Sequence, residues 1–188
     1  MSDSDRDAVA QSMERPGAFA ALFDRHYPAI WRYLCRRAGP TAADDLAGET
    51  FLRAFSGRAR YDADQADARP WLYGIATNLL REDARREARQ MRAYARAAGL
   101  SAGAPGVEEA EDRADASALA PRVVAALAEL SPPDRDTLLL FALTDLDYEG
   151  VAVATGVPVG TVRSRLHRVR RRMRIQLGYE FVGEGSAR

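Results

Sequence analysis

The chain contains no lysine: all 27 of its basic residues are arginines, set against 27 acids. Composition assigns no function to that bias, although an arginine fork suits phosphate and guanine better than an ammonium does. There is a single cysteine, Cys35, which excludes an internal disulfide. It lies in an apolar helical pattern and reads as a buried structural thiol. Two histidines, His26 and His167, stand far apart with no Cys or His at ligand spacing, so no metal site is read. No apolar run approaches the length of a membrane span or a signal-peptide core, so no membrane insertion is expected and the chain reads as cytoplasmic. No paired carboxylates, nucleophile with base, or phosphate-binding loop stands out; an enzyme is disfavoured, and no cofactor or small-molecule substrate is called for. With no β-hairpin signature and no internal repeat, the expected fold class is all-α.

What is present is helical periodicity. The 188 residues suffice for one ordinary domain or two small ones. Phe19, Leu22, Phe23, Tyr27, Ile30 and Leu34 recur at three- and four-residue steps, with Pro28 as an expected kink or break. Thr41 followed by Asp44 resembles a capping box, after which Leu46, Thr50, Phe51, Ala54 and Phe55 supply the face of a second helix. A polar loop, "SGRARYDADQADARP", interrupts it, and Trp71, Leu72, Ile75 and Leu79 restart the period. The boundaries read as a tail at 1–16, a helical domain at 17–97, a flexible acidic linker at 98–117, a second domain at 118–178 and a tail at 179–188.

In the second domain, Val123, Val124, Leu127 and Leu130 mark a helix, and Ser131 then caps another with Pro132 at its first position. Asp147 caps "YEGVAVATG", which stops at Gly156, and Pro158 opens a last helix. That helix turns Val162, Leu166, Val169, Met173 and Leu177 inward and leaves seven arginines, with no acid, between Thr161 and Arg174. Like charges so placed require a polyanion, screening or neighbouring acids. A short capped helix, a glycine turn and a second helix opening "GTVRSRLHR" form a helix-turn-helix pattern. Gly160 lets a phosphate approach the backbone and Thr161 can donate to one; Arg163 can reach guanine, while Ser164 and His167 are short enough to touch base edges.

The stretch "DYEGVAVATGVPVGTVRSRLHRVRRRMR" resembles the C-terminal helix-turn-helix of bacterial extracytoplasmic-function (ECF) sigma factors of the sigma-70 family. "DDLAGETFLRAF" and "RPWLYGIATNLLREDARR" resemble that family's N-terminal domain, in the family's order. The resemblance implies two small helical domains, sigma region 2 and sigma region 4, joined by the linker. It further implies a transcription-initiation factor that binds RNA polymerase core, through the beta-prime clamp helices and the beta flap, and recognises −10 and −35 promoter DNA. An anti-sigma factor is a further partner it implies.

By the same likeness, Gly160, Thr161, Arg163, Ser164, Arg165, His167 and Arg168 face −35 DNA; Arg171, Arg172 and Arg174 serve phosphates or polymerase. Asn78 and Arg81 contact the opened −10 strand, with Trp71 and Tyr73 as stacking candidates, and the loop "GRARYDADQADARP" receives an extruded base. Asp45, Glu49 and Arg53 belong to the polymerase-docking segment. Gly48 departs from the family's usual Gln and Gly150 from its usual acid, and Glu82 and Asp83 put acid beside the expected −10 surface. Two other readings stay open. A stand-alone helix-turn-helix regulator would explain residues 147–174 but leave the N-terminal motifs unused, and a protein-only adaptor would bind without salt sensitivity.

Overall fold

The computed structural model describes residues 4–97 and 119–177, and the segments read from sequence as the linker and the C-terminal tail lie outside them. Among the described residues there are α-helices and short 3-10 turns and no strand. The first domain comprises α1 (Asp5–Glu14), α2 (Ala20–Ala38), α3 (Pro40–Gly57) and α4 (Arg69–Ala97). The second comprises α5 (Leu119–Ala128), α6 (Pro132–Leu143), α7 (Tyr148–Thr155) and α8 (Val159–Leu177).

The core of the first domain forms where α2 packs on α3 and α4, around Leu22, Ile30, Tyr33, Leu34, Phe51 and Leu72. Helix α2 runs unbroken through Pro28, because the apolar residues on both sides of the proline are buried in one core that outweighs a lost backbone hydrogen bond. The capping box expected at Thr41 and Asp44 is not formed. Gly39, at φ 81°, turns the chain out of α2 and Pro40 starts α3 directly, with no side-chain cap. Asp44 is instead the acceptor for Trp31 Nε1 at 2.7 Å. Residues 5–14, outside the boundary read at 17, form a helix capped by Ser4 and docked on α2.

Local signals in the second domain hold as read. Ser131 Oγ accepts from Asp134 N at 3.3 Å, with Pro132 in the first turn of α6. Asp147 accepts from Gly150 N at 2.8 Å to start α7. Gly156 ends that helix at φ 67°, and Val157 N donates to Ala152 O at 3.1 Å, the closing bond of a Schellman-type cap. Cys35, expected to be buried, is only partly so.

The two domains touch along α4 and α7. Gly74 makes the close approach possible: a Cβ there would lie 2.8 Å from the carbonyl oxygen of Ala154. Around it Arg69 pairs with Asp145, and Asp136, only 2% exposed, accepts from Arg37 at 2.7 Å and from Arg81 at 2.5 Å.

Gly74→Ala should force α4 and α7 apart, costing the interdomain packing about 1–3 kcal/mol while leaving each domain folded. Solution scattering checks this. An unchanged radius of gyration and unchanged unfolding midpoint would contradict the close approach.

Candidate nucleic-acid interface

Helix α8 is built on an apolar stripe, with Val162, Leu166 and Val169 buried against the other helices of the domain. The opposite face follows from the 3.6-residue period: Gly160, Arg163, Ser164, His167 and Arg171 are all exposed, and Thr161 is half-buried at the edge. A methyl group at Gly160 would meet nothing within 4 Å, so internal packing does not require glycine there. Ser164 Oγ donates to Thr161 O at 3.0 Å, which keeps the hydroxyl on its own helix.

The crowded positive charge is balanced across helices rather than along α8. Glu149 of α7 lies 3.8 Å from Arg163, Asp134 of α6 pairs with Arg168 at 2.6 Å, and Glu129 pairs with Arg172 at 3.1 Å. Two arginines also lie over rings: Arg163 over Tyr148 at 5.8 Å and Arg170 over Phe141 at 5.3 Å, the two rings being stacked on each other. The pairs made by Glu149 and Glu129 are exposed and contribute little to stability, so their arginines can be exchanged between carboxylate and phosphate, whereas Asp134 is largely buried. Arg165 differs from the sequence expectation. Its side chain turns onto α6, within 3.9 Å of Asp134 and 3.5 Å of Thr137 Oγ1, because position 165 borders the buried stripe at Leu166.

On α4, Asn78 is exposed and its Oδ1 accepts from Arg81 at 3.3 Å, so the structure brings these two together. Arg81 is also bound by Asp136 of the second domain, whose other oxygen holds Arg37. Arg37 in turn donates to Tyr33 Oη at 2.8 Å, and Tyr33 Oη is 2.9 Å from Thr77 Oγ1. Neither Asp136 nor Arg37 was singled out in the sequence; the one available signal was an acid at the head of the stretch "DTLLLFAL".

Tyr73 is not presented for stacking. It is 3% exposed, edge-on to Tyr33 at 5.3 Å, and burial pushes its hydroxyl pKa up. Trp71 is half-buried, its ring 5.0 Å from that of Tyr61 in the loop between α3 and α4. Burial, with the nearby Asp5 charge, pushes the Tyr61 hydroxyl up to about 12, and it donates to Gln65 O at 2.6 Å.

Asp45, Glu49 and Arg53 line a groove of about 660 Å³ between α3 and α4. Arg53 bridges the two helices, binding Glu49 and Glu82 at 2.8 Å each, and these bonds raise its pKa. Glu82 is thereby engaged with α3, and Asp83 pairs with Arg86 at 2.6 Å. Leu52, 59% exposed, adds an apolar surface on α3. Among the described residues, no cluster of His, Cys, Asp and Glu is arranged to hold a metal, and no helix is long and apolar enough to cross a membrane.

Residues 22–90 match the family model "Sigma-70 region 2", and residues 121–173 match "Sigma-70, region 4". The chain is 34% identical over 143 residues to the ECF RNA polymerase sigma factor SigC of Mycobacterium tuberculosis, covering 75% of this chain and 73% of that one. Its fold is similar to that of CnrH, solved in complex with the cytosolic domain of CnrY, with a TM-score of 0.64, 24% identity and coverage of 95% and 99% of the two chains. It is also similar to the sigma factor RpoE of Bartonella quintana, solved with the anti-sigma factor NepR, with a TM-score of 0.60, 21% identity and coverage of 87% and 99%.

Asp134 generates a pH prediction. Burial pushes its carboxyl up, but hydrogen bonds from Arg168 and Ser131 and the charges of Arg168 and Arg165 outweigh that and hold it below its ordinary value of 3.8. Its stabilisation is therefore fully present above that value and is lost as pH falls through the lower folded value. Asp134→Asn should lower the unfolding midpoint at neutral pH and change it little well below pH 3.8. Equal destabilisation at both pH values would exclude the charge pairing.

Proposed function

The chain belongs to the ECF sigma factors of the sigma-70 family, RNA polymerase subunits that direct promoter-specific transcription initiation, and from that premise we propose how its residues divide the work. The observation that carries the reading is the outward face of α8, where Gly160, Arg163, Ser164 and His167 share one exposed side opposite a buried stripe. Such a helix, following a short capped helix and a left-handed glycine turn, enters the major groove with its first turns at the bases. Arg163 reads a guanine of the −35 element; Ser164 and His167 touch neighbouring base edges; Gly160, Thr161 and Arg168 meet the DNA backbone. Arg165 acts through Asp134 and Thr137, holding α8 against α6.

On the first domain, Asn78 and Arg81 contact the opened −10 strand, and the loop ahead of α4 takes the extruded base. Trp71 flanks that loop; Tyr73 supports α4 from within the core. The groove of Asp45, Glu49 and Arg53, with Leu52 beside it, docks on the polymerase clamp. The factor works in the cytoplasm without enzymatic activity of its own, and an anti-sigma factor is a further partner, as the RpoE–NepR complex suggests by analogy. A stand-alone regulator would leave the whole first domain without a role.

Run-off transcription with bacterial core polymerase, this protein and a genomic fragment library tests the reading. New start sites sharing two spaced upstream elements are expected; none, with tight binding of duplex DNA by the protein alone, would favour the regulator. On promoters so found, Arg163→Ala should reduce discrimination at one −35 position by about tenfold, the lower part of the 1–3 kcal/mol range for a bidentate contact, with core binding unchanged. Asn78→Ala should reduce open-complex yield without altering −35 preference. An unaltered permanganate footprint at −10 would remove Asn78 from the strand-binding set.

A further inference from the structure

Asp5 is a charged residue only 6% exposed, and a carboxylate so buried must be fully partnered. Its partners come from two different places in the chain. Oδ2 lies 2.8 Å from His26 Nε2 and accepts from Ala68 N at 2.9 Å, while Oδ1 binds the Arg25 guanidinium. Ala68 is the last residue of the loop between α3 and α4, is fully buried, and accepts the first backbone bond of α4 from Leu72 N at 2.9 Å. The carboxylate of α1 therefore caps α4 from a distance and fixes the point where the loop ends.

The other end of the loop meets the same helix. Arg58, in the short turn that follows α3, donates through Nε to Ser12 O at 3.4 Å and through another nitrogen to Phe55 O at 2.6 Å. Asp5 and Ser12 are seven residues apart on α1, a span of about 10 Å. One short helix thus lies across the base of the loop and touches both of its ends. Between these anchors the loop has its own internal bonds, Tyr61 Oη to Gln65 O and Asp64 N to Asp62 Oδ1, and its tip residues Asp62, Ala63 and Asp64 are exposed.

We propose that α1 is a positioning element for −10 recognition: through Asp5 and Ser12 it holds both ends of loop 58–68 in the geometry that receives the extruded base. This rests on the reading of that loop given above. A loop ordered before binding does not lose its conformational freedom at the moment of capture, so the stabilisation appears in base selectivity and not only in fold stability.

The test uses the full chain with core polymerase and run-off templates randomised separately over the −10 and −35 elements. Asp5→Asn keeps the volume and removes the charge; Arg58→Gln loosens the other end independently, and decides the matter should Asp5→Asn not fold. Each is expected to flatten base preference at one −10 position by about tenfold, leaving −35 preference and core affinity unchanged. A purely structural role would instead lower the yield of all transcripts together. Unchanged −10 preference in both folded variants, or equal loss at both elements, overturns the proposal. A third variant, with Asp62, Ala63 and Asp64 replaced by glycine, separates the two ideas. If it too keeps the −10 preference, the loop reading fails; if it alone loses the preference, only the positioning role of α1 fails.

Discussion

A carboxylate shut away from water between two arginines fixes the arrangement of this molecule. Asp136 belongs to the second domain, whereas Arg37 and Arg81 belong to α2 and α4 of the first, so one buried acid ties three helices across the domain boundary. Desolvating such a group is costly, and removing both arginines would leave its charge uncompensated. The network continues through Tyr33 to Thr77, so α4 is gripped one turn apart at Thr77 and Arg81. Helix α4 is accordingly core of one domain, contact surface for the other and the proposed strand-binding helix at once.

These uses compete for the same atoms. In this conformation the Nε of Arg81 is occupied by Asp136, and the neighbouring turns of α4 face α7. A nucleic acid that took the Nε of Arg81 would displace that carboxylate, and the proposed strand binding would then be linked to the domain contact. The arginines of α8 are arranged differently. The partners Glu149 and Glu129 are exposed, where exchange for phosphate costs little, and only Asp134 is largely buried.

How much could be read from the sequence depended on how far the deciding interaction reached along the chain. Ser131, Asp147 and Gly156 act on backbone within five residues of themselves, and all three were legible, as was the buried stripe of α8. Asp44 was misread because its partner, Trp31, lies on another helix rather than in the same turn. Tyr73 and Arg165 have the chemistry of contact residues, and only packing against Tyr33 and α6 turns them inward. Asp5 carried no local signal and Asp136 only the weak one of an acid beside an apolar run, since their partners lie 63 and 99 residues away in their longest pairings.

Gly74 sits inside a helix, where glycine is the least favoured residue after proline, and its one compensating asset is the room it leaves for the Ala154 carbonyl. Alanine would suit α4 better by about 1 kcal/mol if the first domain stood alone. The nearest atoms a side chain at position 74 would meet all belong to Ala154, so the need for glycine there comes from the other domain. A single missing methyl group on one helix thus sets how closely a helix of the other domain can lie.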